Sequence, residues 1–227
     1  MSITRRDFLA AAAAAVAAGS WSDAAHSAVG KMSKAALTYF AGMTEDNGYV
    51  YRRTNWKKID NQWRRQLVEY KSREPQGTVV VDTEHLFLYL IFENQTALRY
   101  GVGVGRDGFR WFGRARIDRK ALWPRWVPPP EMRQRQPELP EFMDAGPDNP
   151  LGPRALYLYR GGQDLGYRLH GTLEPWSIGS NVSSGCIRMF SEDIVDLYQR
   201  CPLGTRVLVL KHLGAPVINE AAPVDTQ

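Results

Sequence analysis

A mainly β fold, an antiparallel sheet that curls or stacks on itself, is what this sequence predicts. Three observations carry the prediction. From Gly77 onward, β-branched and aromatic runs follow one another at hairpin spacing, separated by short polar turns. No helical period intervenes between these early runs. The one long interruption holds nine prolines between Pro124 and Pro153 and cannot be regular helix or central strand. The expected architecture is a β-sandwich or barrel with one or two short helices and a long Pro-rich loop.

Along the chain, "SITRRDFLAAAAAAVAAGS" places the twin arginine Arg5-Arg6 before Phe8-Leu9 and an alanine-rich run from Ala10 to Ala18. A basic segment followed by a weakly apolar one too short to anchor in a bilayer is the order of an export signal. It resembles a bacterial twin-arginine (Tat) signal over residues 1–27, which implies a periplasmic protein without a stable membrane anchor after cleavage. Residues 28–63 read as a connector, mostly polar and without clear period. Trp56 and Trp63 lie among basic residues, a composition that can stack single-stranded nucleic acid. The pattern does not repeat, so packing of a leading segment onto a domain edge is expected, and no nucleic-acid partner.

Residues 64–212 are expected to form the main domain. "GTVVVD" (77–82), "HLFLYLIF" (85–92) and "ALRYGVGVG" (97–105) read as strands, and Asp107-Gly108 signals a turn into the next one. Gly101, Gly103 and Gly105 lack the following helix that a phosphate-binding turn needs, and suit a strand edge running into a turn. The Pro-rich stretch carries Trp123, Trp126, Met132 and Phe142 as anchors, so an ordered lid or wall over a cleft is expected there. "ALYLY" (155–159) and "YRLHG" (167–171) resume strand character. "SEDIVDLYQR" (191–200) reads as a helix with Ser191 as N-cap and two acids in its first turn, ending before Pro202. "GTRVLVLK" (204–211) is a last strand, and residues 213–227 a C-terminal tail.

At 227 residues there is room for one domain with a sizeable core. The formal net charge is +5 and the pI about 9.3. Removal of residues 1–27 takes Arg5, Arg6, Asp7 and Asp23, leaving that charge unchanged. Such a surplus favours nucleic acid, an anionic membrane or an acidic polymer such as a cell wall, but on charge alone the expectation is that it merely solvates the surface. His26, His85, His170 and His212 are scattered, and neither cysteine has a partner at ligand spacing, so no metal and no cofactor are expected. Cys201, just before Pro202, reads as a small hydrophobe closing a helix. A Cys186–Cys201 disulfide is allowed in an oxidising compartment, but would consume the thiol that the chemistry needs.

That chemistry is concentrated in "HGTLEPWSIGSNVSSGCIRM" (170–189). Cys186 follows Ser183, Ser184 and Gly185, a small polar setting unlike that of a buried structural thiol. A cysteine nucleophile needs a base near neutral pH, and His170 is the candidate. Gly185 and Cys186 offer consecutive backbone N–H groups to a developing oxyanion. The order, histidine before cysteine, differs from that of papain-like proteases.

The segment resembles the active-site signature of the L,D-transpeptidase catalytic domain, or YkuD-type, family. His170 and Gly171 match its first part; Ser183, Gly185, Cys186, Ile187 and Arg188 match its second. Ser184 stands where many members have histidine. The resemblance implies a mostly-β sandwich or barrel and a cysteine acyltransferase acting on peptidoglycan stem peptides. It implies that Cys186 attacks the L-centre carbonyl of diaminopimelate in a tetrapeptide and expels the terminal D-alanine. His170 then acts as base and acid, and the Gly171 carbonyl orients its ring. Arg188, Ser183, Ser184 and Trp176 are the candidates for substrate binding, with a salt bridge under the loop the alternative for Arg188 and shaping of the loop the alternative for Trp176. The acyl group passes to an amine, giving a 3-3 cross-link or protein attachment. A hydrolytic L,D-carboxypeptidase and a non-catalytic wall-binding module are the alternatives.

Overall fold

The computed structural model describes residues 32–105, 111–183 and 186–211. The expected export signal, the C-terminal tail, the Asp107-Gly108 turn, Ser184 and Gly185 lie outside the described residues. In chain order the elements are α1 (Lys34–Leu37), β1 (Phe40–Asp46), β2 (Tyr49–Thr54), β3 (Gln66–Glu69), β4 (Val79–Asp82), β5 (Phe87–Ile91), β6 (Thr96–Gly101), β7 (Val104–Gly105), β8 (Gly113–Leu122), α2 (Pro130–Arg135), β9 (Arg154–Arg160), β10 (Gln163–His170), β11 (Asn181–Ser183), β12 (Ile187–Arg188), α3 (Ser191–Arg200) and β13 (Thr205–Val209).

Nine strands form one mixed sheet in the order β12-β10-β9-β8-β13-β4-β5-β6-β3. Its ends, β12 and β3, are not paired with each other, so the architecture is sandwich-like and not a closed barrel. Most neighbours are antiparallel, as the hairpin spacing implies. Two pairings within this sheet are parallel: β4 with β13, and β10 with β12.

Alternation decides which side chains enter the core. Val79 and Val81, Leu88 and Leu90, Ala115 and Ile117, Leu156 and Leu158, Leu169, Ile187, and Val207 and Val209 meet in a single cluster. Strands from both halves of the sheet share it, so the sheet must fold over on itself. Ile194 and Leu197 of α3 close the cluster together with Cys201, which is fully buried as a small hydrophobe at the helix end. Burial pushes that thiol up to about 12. The residues between these inward positions, among them Arg114, Arg116, Tyr157, Arg168 and His170, occupy the outer face of the sheet.

Three expectations need correction. Residues 40–54, inside the segment read as an irregular connector, form the antiparallel hairpin β1–β2. Its alternation is weak because few of its side chains are buried; polar and ionic contacts hold it instead. Arg154, only 4% exposed, donates two hydrogen bonds to Asp46 at 2.6 and 2.7 Å, and Trp123 Nε1 donates to the same carboxylate at 2.7 Å. Thr54 donates to Glu192 from its backbone N–H and its hydroxyl. Secondly, the Pro-rich stretch includes the short helix α2, which tolerates Pro130 because the first turn of a helix has no N–H bond to lose. Thirdly, α3 is capped by Phe190, and Ser191 lies inside its first turn without a side-chain capping bond.

Trp56 and Trp63 do pack the leading segment onto the domain. Trp56 meets Phe190 edge to face at 5.1 Å, and Trp63 lies 5.2 Å from Phe87. Among the described residues no helix is long and apolar enough to cross a membrane.

Asp46→Ala should leave the Arg154 guanidinium buried without its partner and destabilise the protein by about 3 kcal/mol, the scale for breaking a buried ion pair. Urea denaturation of the variant against the unsubstituted protein measures this.

Candidate active site

The site begins with the parallel pairing of β10 and β12. Leu169 faces Ile187 and His170 faces Arg188 across the register. Leu169 and Ile187 point into the core. Alternation therefore puts Arg168, His170 and Arg188 on the outer face; Cys186, one position before β12, feels the Arg168 and Arg188 charges and a hydrogen bond from the Arg168 backbone. His170 and Arg188, eighteen apart in the chain, become neighbours on one surface. Main-chain bonds fix β12 on both sides: Met189 N–H donates to the His170 carbonyl at 2.9 Å, and Arg188 and Gly103 exchange two bonds at 2.8 and 3.0 Å.

The connection between the strands, residues 171–186, is braced from within through its first ten residues. Thr172 Oγ1 accepts from the Glu174 N–H at 3.0 Å, Ser177 Oγ donates to the Glu174 carbonyl at 2.7 Å, and Ser180 Oγ donates to the Ser177 carbonyl at 2.8 Å. The Arg188 guanidinium pairs with Glu174 and donates to Ser177 Oγ. Two glycines make room. A Cβ on Gly103 would come within 2.6 Å of the Ser177 carbonyl oxygen, and one on Gly179, at φ +83°, within 2.4 Å of the Trp63 ring. At the loop's start, Gly171 packs on Gly152 and Pro153; a Cβ there would sit 3.0 Å from Pro153 Cδ. The C-terminal end of the Pro-rich stretch thus abuts the residue after His170.

His170 is 6% exposed, and its Nδ1 lies 2.6 Å from the Gly171 carbonyl oxygen. A carbonyl can only accept, so Nδ1 carries the proton and Nε2 is the acceptor nitrogen of the neutral ring. Burial lowers the imidazole from 6.5 to about 4; the Gly171 bond opposes this, while Arg188 and Arg168 reinforce it. The ring is neutral at physiological pH. Cys186 is partly exposed as a residue and forms no disulfide with Cys201. Desolvation raises its thiol above the ordinary value; the Arg168 charge, a backbone hydrogen bond from Arg168 and the Arg188 charge oppose that rise. At rest the pair is neutral thiol and neutral base, suited to proton transfer during attack rather than to a standing ion pair.

The remaining predicted positions are distributed as follows. Trp176, 38% exposed, packs on the hairpin side of the loop, with ring centroids 5.6 Å from Tyr39 and 6.5 Å from Phe40. Ser183 ends β11, whose backbone registers against Gly105 of β7. Ser184 and Gly185 lie outside the described residues. Arg168 was not singled out from sequence, although its charge is felt at both His170 and Cys186; its place two residues before the histidine in a strand was the available signal.

The family model for the L,D-transpeptidase catalytic domain (YkuD) matches residues 76–209, more than half of the chain. The chain belongs to that family. Among curated relatives, Probable L,D-transpeptidase ErfK/SrfK of Escherichia coli K12 is 36% identical over 143 residues, 60% of this chain and 44% of the relative. Probable L,D-transpeptidase YbiS of the same organism is 35% identical over 140 residues, 58% and 44% of the two chains. The chain spans less than half the length of these relatives. A solved structure from Brucella melitensis, described as a probable carnitine operon oxidoreductase, is 48% identical, covers 69% of this chain and 99% of that one, and has a TM-score of 0.46.

The buried neutral His170 has a stability consequence. The unfolded chain binds a proton near 6.5 and the folded one near 4, so this group contributes stability that is lost as pH falls through that window. The shift corresponds to about 3 kcal/mol. Asp193, raised to about 7 by burial, acts with the opposite sign in the same window, so the wild-type profile alone does not isolate His170. The difference does: His170→Gln should gain about 3 kcal/mol relative to the wild type between pH 7 and pH 4, measured by urea midpoints across that range.

Proposed function

We propose that the protein is a peptidoglycan L,D-transpeptidase working through a Cys186 acyl-enzyme. The observation that carries the reading is the His170 ring, held by Gly171 through Nδ1 so that Nε2 is left to serve the thiol on the same sheet face. Membership of the family supplies the substrate class, a stem tetrapeptide.

The steps follow from these groups. The Cys186 thiol gives its proton to His170 Nε2 as sulfur attacks the carbonyl at the L-centre of the third residue. The oxyanion is received by the backbone N–H groups of Gly185 and Cys186. The C–N bond to D-alanine breaks, and the imidazolium protonates the departing amine. An acceptor amine then gives a proton to Nε2, attacks the thioester and releases the thiol. The Gly171 carbonyl stabilises the imidazolium formed in between, as a carboxylate does in other triads. Arg188 is engaged with Glu174 and Ser177; in this reading it holds the loop, and a substrate carboxylate binds it only by displacing Glu174. In this reading Ser183 and Ser184 contact the stem, and Trp176 shapes the loop. The Pro-rich stretch, abutting Gly171 through Pro153, forms a wall of the cleft and favours an amine over water as acceptor. We also propose export through the Tat route into the periplasm, on the strength of Arg5 and Arg6.

Incubation of the mature protein with purified tetrapeptide muropeptides, resolved by mass, tests the reaction. Dimers joined between two diaminopimelate residues with loss of one D-alanine are expected. Monomeric tripeptides alone would identify a carboxypeptidase, and unchanged substrate a binding module. Cys186→Ala and His170→Ala should each abolish turnover while remaining folded; Cys201→Ala should keep turnover and lose about 1–2 kcal/mol of stability for its small cavity. Because His170 stays neutral down to about pH 4, activity should persist below the pH at which an ordinary histidine protonates. Lysines at positions 5 and 6 should stop export of a fusion of residues 1–40 to a Tat-dependent reporter.

A further inference from the structure

A second concave site lies on the same face of the sheet, away from the thiol. It encloses about 530 Å³ and is lined by Arg114, Arg116, Arg160 and Arg206, with Tyr159 and Asp118 among its walls. Its geometry follows from the register. Arg116 and Arg206 face each other directly across β8 and β13, and Tyr159 faces Arg116 from the other side. Two like charges opposite one another across a strand pair are destabilising, so nothing in the folding of the sheet requires them there. Arg114 donates to Glu74 at 2.7 and 2.8 Å, and Arg160 lies over the Trp111 ring at 5.9 Å. Arg116 and Arg206 are exposed, and neither forms a salt bridge with a carboxylate among the described residues. Gly161 and Gly162 lower the rim at the β9–β10 turn, where an added Cβ would meet nothing within 4 Å.

The cleft is aligned with the candidate active site. His170 pairs with Ala155 of β9, and Arg116 pairs with Tyr159 of the same strand. Both pairs project from the outer face, ~14 Å apart along the strand at about 3.4 Å per residue. Between them lies Tyr157, sandwiched by two guanidiniums, Arg119 at 4.3 Å and Arg168 at 5.0 Å from its ring centroid. A row of arginines therefore runs along one surface from the cleft to Arg168, whose charge reaches Cys186.

We propose that this cleft is an anion-binding exosite for the carboxylate-rich polymer from which the reacting stem projects, holding a neighbouring stem while Cys186 works on its own. Guanidinium forks match carboxylates in a bidentate manner. Several arginines spaced along two strands fit a chain bearing repeated carboxylates better than one compact anion. The proposal rests on the acyl-transfer reading for the identity of the polymer.

The test compares the full mature protein with an Arg116→Glu/Arg206→Glu variant on two substrates: soluble glycan strands bearing tetrapeptide stems, and the isolated tetrapeptide. The variant should raise KM on the strands about tenfold and leave kcat/KM on the isolated tetrapeptide unchanged. The Arg116→Lys/Arg206→Lys variant should fall between the two. Unchanged KM on strands, or an equal loss on both substrates, overturns the exosite. If the wild type turns over neither substrate, the acyl-transfer reading fails separately. Co-sedimentation with insoluble wall polymer then decides the exosite: binding lost both in the Glu variant and on amidation of the polymer's carboxyls supports it, and binding indifferent to either overturns it. Arginine-dependent binding to phosphatidylglycerol vesicles without binding to the polymer also overturns it.

Discussion

The arrangement of this protein depends on one short contact, the parallel pairing of β10 with the two-residue strand β12. Only Leu169–Ile187 and His170–Arg188 take part, yet that register sets which residues share a surface with the imidazole. A slip of one residue would turn Arg188 inward, bring Ile187 out and shift Cys186 with them. The apolar pair is what forbids the slip, since Leu169 and Ile187 are both fully buried. The core thus positions the chemistry through side chains that take no part in it.

So short a strand cannot hold itself. It is fixed by Gly103 on one side and β10 on the other, and by the braced loop that leads into it. Arg188 contributes twice, through its backbone to the ladder and through its guanidinium to Glu174. The close approaches at Gly103 and Gly179 leave no volume for a side chain, and that at Gly171 leaves little. The hairpin β1–β2 completes the support from outside: Asp46 grips Arg154 at the root of β9, two strands from β12, and Glu192 at the start of α3 receives Thr54.

Electrostatics at the site follow from burial more than from partners. A histidine oriented by a carbonyl, nearly buried and flanked by arginines, stays neutral. The thiol is likewise neutral at rest. In the proposed reaction such a pair would withhold a reactive thiolate until a substrate carbonyl is in place, and the arginines on the same face would then favour the negative charge as it develops.

Much of the fold was legible along the chain. The strands from Val79 to Val209 show as β-branched runs because each buries alternate side chains in the one core, and α3 shows through its acidic first turn and the proline beyond its end. The candidate thiol and base were legible because a Gly-Cys preceded by serines, with His-Gly upstream, is hard to explain as core packing. The hairpin at 40–54 was not, because ion pairs and aromatic contacts hold it rather than a buried alternating face. The cap of α3 was misread because Ser191 is a plausible N-cap wherever only local preference is consulted. What tertiary structure alone decided is adjacency. Which strands pair, and in what register, depends on contacts between residues far apart in the chain, and no local pattern contains them. The meeting of Arg168 with Cys186, the tie of Arg188 to Glu174, and the alignment of Arg114, Arg116 and Arg206 on the face that carries His170 all come from that pairing.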